Sequence, residues 1–351
     1  MTPGDCAESF LLTCESASSC ALTFMSDVDL AEHSAVAVRS PDSGFEAEVL
    51  AGLSARQKAV PARWLYDRAG SELFEKITQL REYYPTRTER KLLARHIVEI
   101  AELTGAGRAV VEFGSGSSLK TPIVLSGISP SAYVPIDISG DFLTASIANL
   151  AAAFPGLPVY PIIADFMQPY LLPDLQGAKR FGFFPGSTVG NMVAPTAVDL
   201  LRNMARALGS NAHLLIGIDR IKSEQKLIPA YDDAQGVTAR FNLNLLGRMN
   251  RELGGTIPVE AFAHLVRWND PEGRIEMHLQ ATKDVQFRVA GRRFQMLSGE
   301  TIHTENSIKY GQRDASLLLR AGGWTPIREW VDEENLFALI LADVSVPRTA
   351  P

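Results

Sequence analysis

Val110-Val111-Glu112-Phe113-Gly114-Ser115-Gly116-Ser117-Ser118-Leu119-Lys120 decides how the rest of the chain is read. Residues of a buried-strand type run into Gly114-Ser115-Gly116, and a helix pattern follows. Small residues at the end of a strand let a ligand come close to the backbone. The free N–H groups of the helix start then face that ligand. The stretch predicts the first strand–turn–helix of a nucleotide-type α/β domain.

Two ligands suit such a turn. A dinucleotide fingerprint needs Gly-x-Gly-x-x-Gly, and Leu119 stands at the third place, which weakens that reading. S-adenosylmethionine suits Glu112-x-Gly114-x-Gly116 as well or better. Asp137 follows Gly114 by 23 residues. A carboxylate there can accept from both hydroxyls of a ribose.

Outward from the turn, strands and helices alternate. Short strands, apolar on both faces, are expected at 109–113, 133–136, 159–164, 181–184 and 213–218. Helices are expected between them at 119–125, 141–154 and 196–208. That pattern predicts an α/β fold with a parallel sheet covered by helices. Asp137, Asp165, Asn191 and Asp219 then fall at the carboxyl ends of strands, where such sheets bind ligands.

The flanks read differently. Helices are expected at 45–53, at 71–80 with Ser71 as N-cap, and at 89–102 after the break Tyr83-Tyr84-Pro85. Beyond Asp219 come helices at 223–230 and 234–253, then a hairpin of 275–283 with 285–297 joined near Lys283-Asp284, with a further bend at Ala290-Gly291. A helix at 314–321 and strands at 324–331 and 336–342 close the chain. Paired terminal strands complete a sheet, so the middle segment is expected to be an insertion forming a second lobe.

Composition narrows the function. The chain has 351 residues and a net charge of −6, which leaves no basic footprint for nucleic acid. No apolar run approaches the roughly 18 residues of a membrane span. Cys6, Cys14 and Cys20 all lie near the N-terminus, which argues against a disulfide framework and a zinc site. The histidines lack metal-ligand spacing, and His303 near Glu305 lacks a third ligand, so no metal is expected. A cytoplasmic monomer is expected, with residues 1–45 as a mobile N-terminal extension.

Several motifs together resemble one family. They are Trp64-Leu65-Tyr66-Asp67, Tyr83-Tyr84-Pro85-Thr86-Arg87-Thr88-Glu89, the Glu112–Lys120 turn, Pro185-Gly186-Ser187-Thr188-Val189-Gly190-Asn191, Ala230-Tyr231-Asp232-Asp233 and His303-Thr304-Glu305-Asn306-Ser307. In this order they resemble the histidine-specific Nα-methyltransferases that begin ergothioneine biosynthesis. The resemblance runs from about Lys58 to the C-terminus.

It implies a class I methyltransferase domain, Rossmann-like, with antiparallel C-terminal strands and an inserted α+β substrate-binding lobe. The lobe would take residues 46–88 and 222–309, and the methyltransferase domain 89–221 and 310–351. S-adenosylmethionine would be held by Gly114, Lys120, Asp137, Asp165 and Phe166. L-Histidine would be held by Tyr83, Asn191, Tyr231, Glu305 and Ser307, with Tyr66 near the amine. The implied product is Nα,Nα,Nα-trimethylhistidine, hercynine.

The residue chemistry agrees with those assignments. Asn and Tyr donate to an amino-acid carboxylate, and a carboxylate plus a hydroxyl can partner both imidazole nitrogens. In an extended segment Glu305 and Ser307 share a face. Three rivals stay open: the same reaction on arginine or tryptophan, a nicotinamide-dependent oxidoreductase, and a non-catalytic sensor of S-adenosylmethionine.

Overall fold

The structure, a computed structural model, describes residues 44–116, 119–168 and 170–344. The expected extension up to residue 43, and Ser117-Ser118 of the glycine turn, lie outside the described residues. Helix α1 (Phe45–Ser54), strand β1 (Lys58–Ala59), α2 (Arg68–Thr78) and α3 (Tyr84–Thr104) precede the first long strand. Then follow β2 (Ala109–Phe113), α4 (Thr121–Ile128), β3 (Ala132–Asp137), α5 (Gly140–Ala153), β4 (Ile162–Ile163), β5 (Arg180–Phe184), α6 (Ala194–Leu208) and β6 (His213–Asp219). The middle of the chain forms α7 (Glu224–Tyr231), α8 (Val237–Glu252), β7 (Phe262–Asn269), β8 (Arg274–Ala281), β9 (Val285–Val289), β10 (Arg292–Met296) and β11 (Thr301–Ile308). Helix α9 (Gln312–Ala321) and strands β12 (Trp324–Val331) and β13 (Phe337–Val344) complete it.

Alternation across two covered faces explains the main sheet. Ala109, Val111 and Phe113 of β2 pack in one core, with Leu200 and Met204 of α6. Val110 points the other way, into a core with Leu93 of α3 and Leu125 of α4. The seven strands run β12-β13-β6-β5-β2-β3-β4. Strands β2 to β6 are parallel, whereas β13 runs antiparallel to β6 and β12 antiparallel to β13. The chain leaves β2 toward β3 and returns on its other side as β5. This switch point opens a crevice at the carboxyl end of β2.

A second core lies around a four-stranded sheet, β1-β11-β8-β7. Helix α8 covers it with Val237, Phe241, Leu245 and Met249, buried at every fourth residue. Asp67 caps α2 by accepting the Gly70 N–H at 2.7 Å, and Asn244 of α8 donates to the same carboxylate at 2.7 Å. Phe45 is buried in this core, so the structured chain already includes the last residue of the expected extension.

Three expectations are corrected. Helix α3 starts at Tyr84 rather than near residue 89, because Pro85 sits in its first turn, where a missing N–H costs nothing. The expected lobe boundary at 88/89 therefore falls inside a helix. Strand β8 pairs with β7 and β11, while β9 turns back into β10 through Ala290 and Gly291, both at positive φ (46° and 75°). That is a two-residue hairpin turn, so the expected 285–297 strand is itself the hairpin. The strand expected at 159–164 pairs in ladder form only at Ile162–Ile163. No helix among the described residues is long and apolar enough to cross a membrane.

Candidate active site

A cavity of about 800 Å³ opens above the carboxyl ends of β2 and β3 and reaches across to β11. Gly114, Lys120, Asp137, Asp165 and Phe166 line it, and so do Tyr66, Tyr83, Asn191, Tyr231, Glu305 and Ser307. The residues expected at the two ends of the site thus share one space.

At the sheet end, Gly114 holds φ at 73°, a conformation that suits glycine. A Cβ there would lie 3.6 Å from the Phe166 ring. That ring meets Phe113 and Phe184 edge-on, at 6.5 and 5.8 Å between centroids. Asp137 accepts the Gly116 and Ser139 N–H groups, each at 2.9 Å. Two backbone donors leave a carboxylate with further lone pairs to offer. Burial raises the Asp137 pKa, and the same N–H groups pull it back. Asp165 accepts the Met167 N–H at 2.9 Å and pairs with Arg63 at 3.3 Å.

Lys120 reaches the cavity by way of an unforeseen partner. Its ammonium pairs with Glu89, which is fully buried and also accepts the Gly186 N–H at 2.9 Å. Glu112 lies beneath the turn and accepts the hydroxyls of Thr121 at 2.8 Å and Tyr133 at 2.6 Å. Burial pushes its carboxyl up to about 7 against those hydrogen bonds.

At the other end, β11 carries a bulge. His303 pairs with His278, yet Glu305 pairs with Met277, so Thr304 is the extra residue. Thr304 spends its hydroxyl on Asn242 at 2.7 Å. Beyond the bulge, Glu305 and Ser307 both face the cavity. Glu305 is half-buried as a residue, but its Oε2 is shielded from solvent and has no hydrogen-bond partner among the described residues. Burial pushes this carboxyl up to about 7, although the charge of Lys309 acts the other way. A buried acceptor without a donor is costly, so this atom is suited to a ligand that brings one.

Aromatic rings form the walls. Tyr66 meets Phe74 and Phe241 edge-on at 5.5 and 5.4 Å, and Tyr83 meets Tyr231 at 6.2 Å. Burial drives the Tyr66, Tyr83 and Tyr231 hydroxyls well above the ordinary phenol range. Nearby acidic groups add to the effect, among them Glu305 in each case. All three stay protonated at physiological pH, so they offer neutral hydroxyls and not phenolate bases.

Sequence reasoning placed Asp219 at a ligand-binding strand end, but it does not line the cavity and instead anchors a polar layer behind this wall. Asp219 accepts the Tyr84 hydroxyl at 2.9 Å and the ammonium groups of Lys222 at 2.6 Å and Lys309 at 2.7 Å. Lys309 stands two residues past Ser307, so the period of a strand could have placed it on the same face. Tyr83 and Tyr84 therefore divide their work, one lining the cavity and the other buried on Asp219.

Glu276, His278 and His303 also gather within 4.8 Å, across the β8–β11 pair where sequence spacing could not show it. His278 Nε2 lies 3.1 Å from Glu276, and the two imidazoles stack at 4.6 Å and 18°. Stacked rings hold their in-plane lone pairs in two nearly parallel planes.

Residues 45–344 match the sequence pattern of a family described as histidine-specific methyltransferases, S-adenosylmethionine-dependent. A histidine N-alpha-methyltransferase of Mycolicibacterium smegmatis is 37% identical over 310 residues, which is 86% of this chain and 96% of that protein. One from Mycobacterium tuberculosis is 37% identical over 301 residues, 84% of this chain and 93% of that one. Ergothioneine biosynthesis protein 1 of Neurospora crassa is 27% identical over 78% of this chain, which spans 32% of that longer protein.

Proposed function

We propose that this chain, which belongs to the histidine-specific, S-adenosylmethionine-dependent methyltransferases, methylates the α-amine of L-histidine as far as the trimethylated betaine, hercynine. This is the reaction that begins ergothioneine biosynthesis. The observation that carries the reading is the partnerless buried carboxylate oxygen of Glu305, in the same cavity as the Gly114 turn. A site built to hydrogen-bond a polar group rejects analogues that lack it by several orders of magnitude.

S-Adenosylmethionine supplies an activated methyl group on a sulfonium. The residues that suit it are Gly114 at the close approach, Asp137 with carboxylate lone pairs to spare for a ribose, and Asp165 with Phe166 for adenine. Lys120 suits the methionine carboxylate. Across the cavity, Glu305 and Ser307 suit the two imidazole nitrogens, and Asn191 and Tyr231 the histidine carboxylate. Tyr83 and Tyr66 stand near the amine.

The chain's task is alignment. Holding an amine in line with an activated carbon can lower a barrier by roughly 7–11 kcal/mol. The amine must attack as the neutral base. The tyrosines remain neutral, so they position it without taking its proton as phenolates. Their ring faces tolerate a growing methylated ammonium. No residue here needs to act as a dedicated strong base. We read the working form as a cytoplasmic monomer without resident metal or nucleic-acid partner, in line with the net charge of −6. The core around β11, with its helices, is read as the substrate lobe.

The test is direct: incubate the protein with S-adenosylmethionine and each amino acid separately, then weigh the products. Histidine should gain one, two and three methyls, and other amino acids none. A gain on arginine or tryptophan in place of histidine would move the specificity. No gain on any would overturn the assignment.

A further inference from the structure

We infer that Lys309 is a positioning residue: its buried ammonium fixes the direction of the Tyr231–Ser307 hydroxyl pair, so that the pair presents one O–H donor and one lone pair to the substrate. The inference rests on histidine being that substrate. Lys309 follows β11, and its side chain is 0% exposed. The ammonium lies 2.6 Å from Tyr231 Oη, 2.6 Å from Ser307 Oγ and 2.7 Å from Asp219 Oδ2. An ammonium has three hydrogens and no lone pair. Three acceptors at those distances use all three hydrogens, so Lys309 has none left for a ligand.

The consequence falls on the hydroxyls. Both must accept from Lys309, because an ammonium only donates. They also lie 2.7 Å from each other, so one donates to the other. The pair has two hydrogens and spends one internally. The remaining hydrogen is free to point into the cavity that both residues line. The hydroxyl that donates internally keeps a lone pair. A neutral side chain at position 309 would remove this constraint, and the pair could then turn its hydrogens away from the substrate. Asp219 completes the device by holding the ammonium from behind.

Lys309 also acts on Glu305, because its charge opposes the effect of burial on that carboxyl. Other groups facing this region are Asp219 from β6, Lys222 just after it, Tyr84 from α3 with Tyr83 ahead of it, and Tyr231 from α7. Ionised, Glu305 is the stronger acceptor for an imidazole N–H, so histidine binds best to that form. Removing the Lys309 charge should therefore shift the acid limb of kcat/KM to higher pH, which a purely structural lysine would not do.

The experiment compares Lys309→Met and Lys309→Arg with the native enzyme, with folding checked by calorimetric binding of S-adenosylhomocysteine. Lys309→Met should raise histidine KM roughly 10- to 100-fold, the range for a lost hydrogen bond to a charged group. Its kcat should stay within about threefold, because ground-state and transition-state binding fall together. Its acid limb should move up in pH, and Lys309→Arg, still a pure donor, should return it. A folded Lys309→Met variant with native KM and native pH profile overturns the inference.

If Lys309→Met does not fold, Tyr231→Phe, Ser307→Ala and the double variant decide. Each single change leaves one hydroxyl that accepts from Lys309 and aims its hydrogen outward. The double variant removes both donors, so its loss in kcat/KM should exceed the product of the single losses by about 10-fold. Simple multiplication overturns the inference. A native enzyme that leaves histidine unmethylated is a distinct result, and refutes the underlying reading instead.

Discussion

Gly190 presses against strand β11 so closely that a Cβ on it would lie 2.7 Å from the carbonyl oxygen of Ile308. This contact seats the turn that carries Asn191 beside the strand that carries Glu305 and Ser307. Gly190→Ala must push the two apart. Histidine KM should rise about 10-fold or more, in the manner of a misplaced binding group. S-Adenosylhomocysteine binding, measured by calorimetry, should stay within about twofold, since Gly114 and Asp137 lie at the sheet end. Equal losses for both ligands would show that the turn does not serve the histidine end alone.

Glu305 should trade stability for binding. Its carboxyl is raised from 4.5 to about 7 by burial. The folded state therefore holds the proton to a higher pH than the unfolded chain does. The associated stability is complete below about 4.5 and is lost as pH rises through about 7, at a cost of about 3 kcal/mol at most. Glu305→Gln should melt a few degrees above the native protein at pH 8, and the gap should close toward pH 5. The same variant should lose roughly 100-fold or more in kcat/KM for histidine. A variant that melts lower at every pH would contradict a buried ionised carboxylate.

The pH profile follows from the same group. The kcat/KM for histidine reports the free enzyme, so it should climb with pH through about 7 as Glu305 ionises. A second rise should follow at higher pH as the amine loses its proton. Glu305→Gln should abolish the first rise and keep the second. A profile flat between about 6 and 9 would refute an ionising amine as well.

The parts of the site legible in sequence are those fixed by backbone rules. Gly114 and Asp137 stand at a strand–turn–helix and at the next strand end, where local pattern suffices. Glu305 and Ser307 share a face by the period of a strand, and the bulge at Thr304 lies just before them, leaving that period intact. What stayed hidden joins residues far apart in the chain. Glu89 meets Lys120 because α3 and the start of α4 pack side by side on the sheet, and Lys309 meets Asp219 because the second core docks on it. A buried ion pair leaves no periodic trace. Strand β7 was hidden for another reason: its burial is mostly partial, so the alternation is faint. Pro85 misled in the opposite sense, as a helix stop that proved to be a helix start.

Lys120 carries two duties that can be separated. Lys120→Met should destabilise the protein by about 3–5 kcal/mol, because Glu89 is left buried and unpaired. Adding Glu89→Gln should restore most of that stability, since an amide oxygen can still accept the Gly186 N–H. The KM for S-adenosylmethionine should remain raised about 10-fold in the double variant. If the double variant recovers both stability and KM, Lys120 is structural and does not meet the methionine carboxylate.

Arg63 offers the mildest test, at the edge of the same cavity. It lies in a short helical turn, Ala62–Leu65, and its guanidinium bridges Glu48 of α1 and Asp165 beyond β4. Trp64 reinforces the link by donating its indole N–H to Glu48 at 2.9 Å. Arg63 thereby ties the N-terminal cover to the loop proposed to hold adenine. Both charges are partly exposed, so the pair should contribute no more than about 1 kcal/mol. Arg63→Ala should raise the KM for S-adenosylmethionine about three- to fivefold, with kcat and histidine KM nearly unchanged. Salt should imitate the substitution: going from about 0.05 to about 0.5 M should raise that KM in the native enzyme and barely alter it in the variant. An equal salt response in both proteins would place the sensitivity elsewhere, and Arg63 would then be no clasp.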